Sequence, residues 1–124
     1  MIDTQFIQNT PVYIHTNGTK MNDYLSEKAN RMVNAIRELT DEIVKIDLRL
    51  TEASEQVTSP RTLSVVVTLN GTELTASDSG KQWKMLFKHV EKRITRQLAK
   101  RKELVQRKLM IGAPVVPLQT TLRA

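Results

Sequence analysis

Two stretches of the chain alternate apolar and polar residues with the period of a β-strand. Val44, Ile46, Leu48 and Leu50 are interleaved with Lys45, Asp47, Arg49 and Thr51. Leu63, Val65, Val67 and Leu69 recur in the same way through residues 61–69. A period of two puts every apolar side chain on one face of the sheet and every polar one on the other. One face must therefore be covered and the other wet, which calls for a layer of helices on one side only.

The turn chemistry orders these strands. Asn70-Gly71 separates the second run from Glu73-Leu74-Thr75-Ala76-Ser77. This pair is the strongest short hairpin signal, because a type I′ turn needs positive φ at both central positions. Val12-Tyr13-Ile14-His15, after Pro11, reads as a first strand with Val12 and Ile14 on one face, ended by Asn17-Gly18. Residues 1–10, polar apart from Phe6 and Ile7, read as an N-terminal arm.

Two helical patterns supply the covering layer. Met21, Leu25, Ala29, Met32, Ile36 and Leu39 share one face of a helix from Lys20 to Leu39, with Thr19 as the expected N-cap and Asp23 and Glu27 near its positive end. Lys28, Arg31 and Arg37 fall off that face. Trp83, Leu86, Phe87, Val90, Ile94 and Leu98 form the apolar arc of a second helix over residues 81–108, with Asp78-Ser79-Gly80 ahead of it as the cap. Gly112, Pro114 and Pro117 end any helix, leaving residues 109–124 as a C-terminal tail. The expected order is β-α-β-β-β-α: an α+β domain over residues 11–108, with a four-stranded mixed sheet and both helices on one face. This is the general shape of double-stranded-RNA-binding modules.

Charge is distributed unevenly over this frame. Residues 81–108 carry a net +9, residues 1–80 a net −4, and the whole chain +6. Opposite the apolar arc of the second helix, Lys81, Lys84, Lys88, Lys92, Arg96 and Lys100 recur at spacings of three and four, joined by Arg93, Arg101 and Lys102. A solvated helix face usually intersperses acids, whereas this one has only Glu91 and Glu103. Lys81 and Lys84 also sit where the helix macrodipole disfavours cations. A polyanion would relieve both costs. Lys28 and Arg31 of the first helix can broaden the same footprint.

Other chemistry finds little support. His15 and His89 stand on different elements without a motif, the acids show no metal-ligand spacing, and no phosphate loop or nucleophile elbow occurs. The expectation is a protein that is not an enzyme and needs no cofactor or metal. Aromatic residues are only 4% of the chain, and Trp83 and Phe87 belong to the apolar arc, so a base-stacking platform for single strands is disfavoured. Shape and phosphate position in structured RNA fit better. There is no cysteine, no apolar run of membrane-spanning length and no signal-peptide pattern at Met1-Ile2-Asp3-Thr4-Gln5, which points to the cytoplasm.

Three segments resemble the ribosome hibernation-promoting factors, also called ribosome-associated inhibitors. In the first helix the spacing Met21-x-x-Tyr24-Leu25-x-x-Lys28-Ala29-x-Arg31-Met32 is similar to the family's. So is the hairpin from Val65 to Ala76, together with the approach Ala76-Ser77-Asp78-Ser79-Gly80 to the last helix. Within that helix, Arg96-Gln97-Leu98-Ala99-Lys100 matches the family's Arg-Gln-Leu-x-Lys. The chain departs from the family at Lys81-Gln82, where acids are usual, and at Trp83-Lys84, in place of a common Met-Tyr.

The resemblance covers residues 11–104 and implies binding to the small ribosomal subunit, through ribosomal RNA and ribosomal proteins, in the channel between head and body. It implies competition with messenger RNA and transfer RNA. The tail is too short for the dimerising domain of long-form members, so a short form, monomeric when free, is expected. Two readings without the ribosome stay open on the residues alone: a general structured-RNA-binding module, and a module docking an acidic protein partner.

Overall fold

The structure, a computed structural model, describes residues 2–7, 10–53 and 60–111. Its elements are β1 (Ile2–Ile7), β2 (Thr10–Asn17), α1 (Asp23–Arg37), β3 (Ile43–Glu52), β4 (Arg61–Leu69), β5 (Thr72–Gly80) and α2 (Trp83–Ile111). The strands form one sheet in the order β1-β2-β3-β4-β5. β2 and β3 are parallel, joined through α1, and the other neighbours are antiparallel. From Thr10 onward this is the expected β-α-β-β-β-α order with four strands in a mixed sheet.

The arm expected over residues 1–10 is different. Residues 2–7 pair with β2 from Ile2↔His15 to Ile7↔Thr10 and add a fifth strand. Backbone pairing to an open sheet edge needs no apolar period, so a search for alternation passes over it. At the start of β2, Thr10 is buried and its hydroxyl accepts a hydrogen bond from the Arg37 guanidinium. A buried hydroxyl without such a partner would be costly. The expected tail begins within α2, which continues to Ile111; residues 112–124 lie outside the described part of the chain.

The alternating residues form the core. Ile46, Leu48 and Leu50 of β3 and Leu63, Val65 and Val67 of β4 are fully buried, with Leu69 nearly so. They pack with Leu25, Ala29, Met32, Val33 and Ile36 of α1 and Leu86, Phe87, Val90, Ile94 and Leu98 of α2 in a single cluster. Both helices thus cover the same sheet face. Val44 departs from the expected pattern, being half exposed. The β3–β4 register shifts there, Ile43 facing Leu69 and Lys45 facing Thr68, so Val44 is a bulged residue and Ile43 packs against the core instead.

Helix α1 starts later than its periodicity suggests. Asn22, not Thr19, is the N-cap: its Oδ1 accepts from the Leu25 amide at 2.8 Å, and its carbonyl accepts from Ser26 N at 2.9 Å. Asn in extended backbone directly before Asp23 satisfies one of the orphan amide groups, that of Leu25, and its carbonyl takes the first bond within the helix, whereas Thr19 is too far away to do either. Met21 and Leu39 still pack on the core from outside the helix ends.

Gly18 closes the β2 end. Its φ is +80°, and a Cβ there would lie 2.0 Å from the Glu52 carbonyl oxygen. Only glycine allows the backbone after β2 to approach β3 so closely. At the opposite end Gly71, with φ of +83°, completes the two-residue hairpin predicted for Asn70-Gly71.

Candidate nucleic-acid interface

Strand β5 runs on to Gly80, so Asp78-Ser79-Gly80 is strand and does not cap α2. Leu69 faces Thr72 across the turn and Leu63 faces Asp78, which places Asp78 on the helix-covered face. There its carboxylate meets α2: Oδ2 is 2.7 Å from His89 Nδ1 and Oδ1 is 3.6 Å from Arg93. The hydrogen bond from His89 is the main cause that holds the Asp78 carboxyl below its ordinary range, with Ser79 N and Arg93 adding to it and burial opposing. Helix α2 itself begins with the Leu86 amide donating to the Gln82 carbonyl. Its first turn contains no acid and does contain Lys84, while Lys81 precedes the helix and remains exposed.

A step of four residues advances about 40° around a helix, so the series Lys84-Lys88-Lys92-Arg96-Lys100 winds across the exposed side of α2. All five are exposed, as is Lys102. At one limit of the series Lys84 and Lys88 meet Lys28 and Arg31 of α1. These four cations line a groove of about 280 Å³ between the helices, with Phe87 and Glu91. At the other limit, Lys92, Arg93, Arg96 and His89 line a shallower hollow on the β5 side.

The sequence-predicted residues therefore divide by surroundings. Lys28, Arg31, Lys84, Lys88, Lys92 and Arg96 lie along one continuous basic surface spanning both helices. Lys100 and Lys102 extend it. Arg93 and Arg101 are engaged elsewhere: Arg93 with Asp78 and the Ser77 carbonyl, Arg101 with Glu42 at 3.6 Å. They hold α2 to β5 and to the segment before β3.

The surface has an acidic border. A broad groove of about 680 Å³ along the outer side of α1 is lined by Asp23, Glu27, Glu38 and Glu91 with Asn30 and Asn34. Arg31 and Glu91 line both grooves and mark the boundary. The two grooves thus carry opposite charge side by side, cationic toward α2 and acidic along α1.

Three features lay beyond the sequence reading. Tyr24 is 45% exposed and Lys28 Nζ lies 5.6 Å from its ring centroid, so an aromatic face borders the basic groove. Trp83 packs only partly against the core, its ring 6.5 Å from that of Phe87. Gln97, the central residue of the Arg-Gln-Leu motif, donates to the Thr75 carbonyl at 2.9 Å. Its place in a recurring motif was the available signal, but nothing in the spacing told of a strand beside it.

Among the described residues, no group of three or more His, Cys, Asp or Glu is placed to hold a metal, and no helix is long and apolar enough to cross a membrane. No protein-family model and no curated protein matches the sequence. Solved structures do match. The N-terminal domain of Protein Y from Thermus thermophilus superposes with a TM-score of 0.61 at 12% identity, over 72% of this chain and 96% of that one. A ribosomal subunit interface protein from Coxiella burnetii gives a TM-score of 0.56 at 17% identity, over 73% and 97% of the two chains. Over nearly the whole length of those two structures, the chain has their fold.

Proposed function

We propose that this protein is a ribosome-binding translation inhibitor, a hibernation factor, that docks on the small ribosomal subunit through the basic surface of α2 and occludes the channel used by messenger RNA and transfer RNA. The observation that carries the reading is the array of Lys28, Arg31, Lys84, Lys88, Lys92 and Arg96 spread over two helices. An array this broad suits a folded RNA whose phosphates lie at several depths, rather than a single extended strand. The sequence motifs and a fold shared with a ribosomal subunit interface protein favour ribosomal RNA as that ligand.

Occlusion needs a rigid charged surface and no bond-making chemistry. The helices provide rigidity because their inner faces are locked into one core with the sheet. In this reading the protein acts in the cytoplasm, as a monomer when free, on idle ribosomes.

A cell-free translation assay titrated with the protein tests it. Arrest should need about one molecule per ribosome, weaken as salt rises, and be reversed by excess messenger RNA and initiator transfer RNA. Arrest at far below one molecule per ribosome, with cleaved RNA, would reveal an enzyme. Binding to naked duplex RNA with no preference for the small subunit would make the chain a general structured-RNA module.

A further inference from the structure

Carboxylates are shared out unevenly among the cations of this chain. Arg61 lies 3.3 Å from Glu52, Arg93 3.6 Å from Asp78, Arg101 3.6 Å from Glu42 and Lys45 3.8 Å from Asp47. Among the described residues, no such pair is made by Lys28, Arg31, Lys84 or Lys88, the four cations of the groove between α1 and α2. Glu91 lines that groove without pairing to any of them. Lys28 and Arg31 are three apart on one helix, and Lys84 and Lys88 four apart on the other, spacings at which like charges repel. An anion seated between the helices relieves both repulsions at once.

An aromatic ring stands beside this charge. Tyr24, in the first turn of α1, is 45% exposed, and Lys28 Nζ lies 5.6 Å from its ring centroid, so Lys28 belongs to the groove and to the ring together. Phe87, at the floor of the groove, is buried and cannot present a face. Tyr13, the other tyrosine, lies between the buried Val12 and Ile14 in β2, which turns it to the uncovered side of the sheet and away from both helices. One exposed ring is no platform for an extended strand, but it suffices for one base, since every base has a face that stacks.

We propose that the groove and Tyr24 together hold one unpaired nucleotide of the bound RNA, its phosphate among Lys28, Arg31, Lys84 and Lys88 and its base stacked on the Tyr24 ring. The site rests on the RNA-binding reading of the basic surface and adds to it the kind of RNA: a folded one with a nucleotide turned out of its helix. A continuous duplex could bring phosphates to the groove but would offer the ring no free base, because its bases are stacked on one another.

Two RNA hairpins with the same stem test this on the full chain, one with 2-aminopurine as a single-nucleotide bulge and one with 2-aminopurine paired inside the stem. The native protein should bind the bulged hairpin about 5- to 150-fold more tightly, the preference that stacking one base supplies, and should quench its 2-aminopurine fluorescence. Tyr24→Phe should keep both effects. Tyr24→Ala should lose both, with native circular dichroism and an unchanged salt slope, because no charge is removed. Lys84→Ala/Lys88→Ala should instead flatten the slope by about one and a half units on the bulged hairpin. Equal affinity of the native protein for the two hairpins would overturn the proposal, as would a preference that survives Tyr24→Ala.

Purified small subunits separate this site from the reading beneath it. Subunit binding that Tyr24→Ala leaves unchanged would refute the nucleotide site and leave the ribosome-binding reading standing. A native protein that prefers the bulged hairpin yet ignores the subunit would do the reverse, and one that binds neither would refute both.

Discussion

His89 Nδ1 lies 2.7 Å from Asp78 Oδ2, joining the second turn of α2 to the penultimate inward position of β5. The Asp78 carboxyl is held below its ordinary value of 3.8, chiefly by this hydrogen bond. A carboxyl whose folded value is depressed contributes stability that is fully present above the ordinary value and is lost as pH falls through the depressed one. Asp78→Asn should therefore lower the urea midpoint at about pH 5 and above, and the gap from the native protein should shrink as pH falls below 3.8. A gap that stays constant through that range would show that the carboxylate charge is immaterial.

Phe87 and Trp83 are neighbours on α2 with different depths. Phe87 is 4% exposed and belongs to the core, whereas Trp83 packs at its rim. Phe87→Ala should cost about 3–5 kcal/mol, the range for a buried aromatic, and Trp83→Ala less, about 1–3 kcal/mol. Denaturant unfolding of the two variants gives the order. Full stability of Trp83→Ala combined with lost RNA binding would make Trp83 a ligand contact.

Much of the fold was legible because its residues obey one periodicity each. Leu63, Val65, Val67 and Leu69 alternate without a break, and all are buried. The apolar arc of α2, from Leu86 to Leu98, is likewise buried in full. What escaped depends on backbone or on long-range partners. Strand β1 is defined by pairing with β2, Val44 is displaced by a bulge, and Asn22 caps α1 through a single side-chain oxygen. The basic residues were legible as a stripe, since charge spacing is written in the sequence. The withdrawal of Arg93 and Arg101 from it was not, because Asp78 and Glu42, which engage them, are 15 and 59 residues away in the chain.

The two positive-φ glycines make a graded pair. At Gly71 an added Cβ meets nothing within 4 Å, so Gly71→Ala bears only the left-handed backbone cost of about 1–2 kcal/mol. At Gly18 the same backbone cost is joined by overlap with the Glu52 carbonyl oxygen. Thermal unfolding should rank Gly18→Ala well below Gly71→Ala. Equal melting temperatures would mean that β2 and β3 can separate at that end without loss.

The helix cap offers a smaller test. Asn22→Ala removes the acceptor for the Leu25 amide and should destabilise the protein by about 1 kcal/mol, while Thr19→Ala should leave stability within about 0.5 kcal/mol. Chemical denaturation of both variants would settle which residue begins α1.

The salt dependence of binding to purified small ribosomal subunits tests the role proposed for α2 most directly. Each phosphate neutralised contributes about 0.7–0.9 to the slope of log K against log salt. Lys88, Lys92 and Arg96 are exposed along the basic surface of α2, away from its core face. Changing all three to Ala should leave the fold intact and flatten that slope by about two to three units. A slope equal to that of the native protein, with binding retained, would contradict the assignment of this helix face to the RNA.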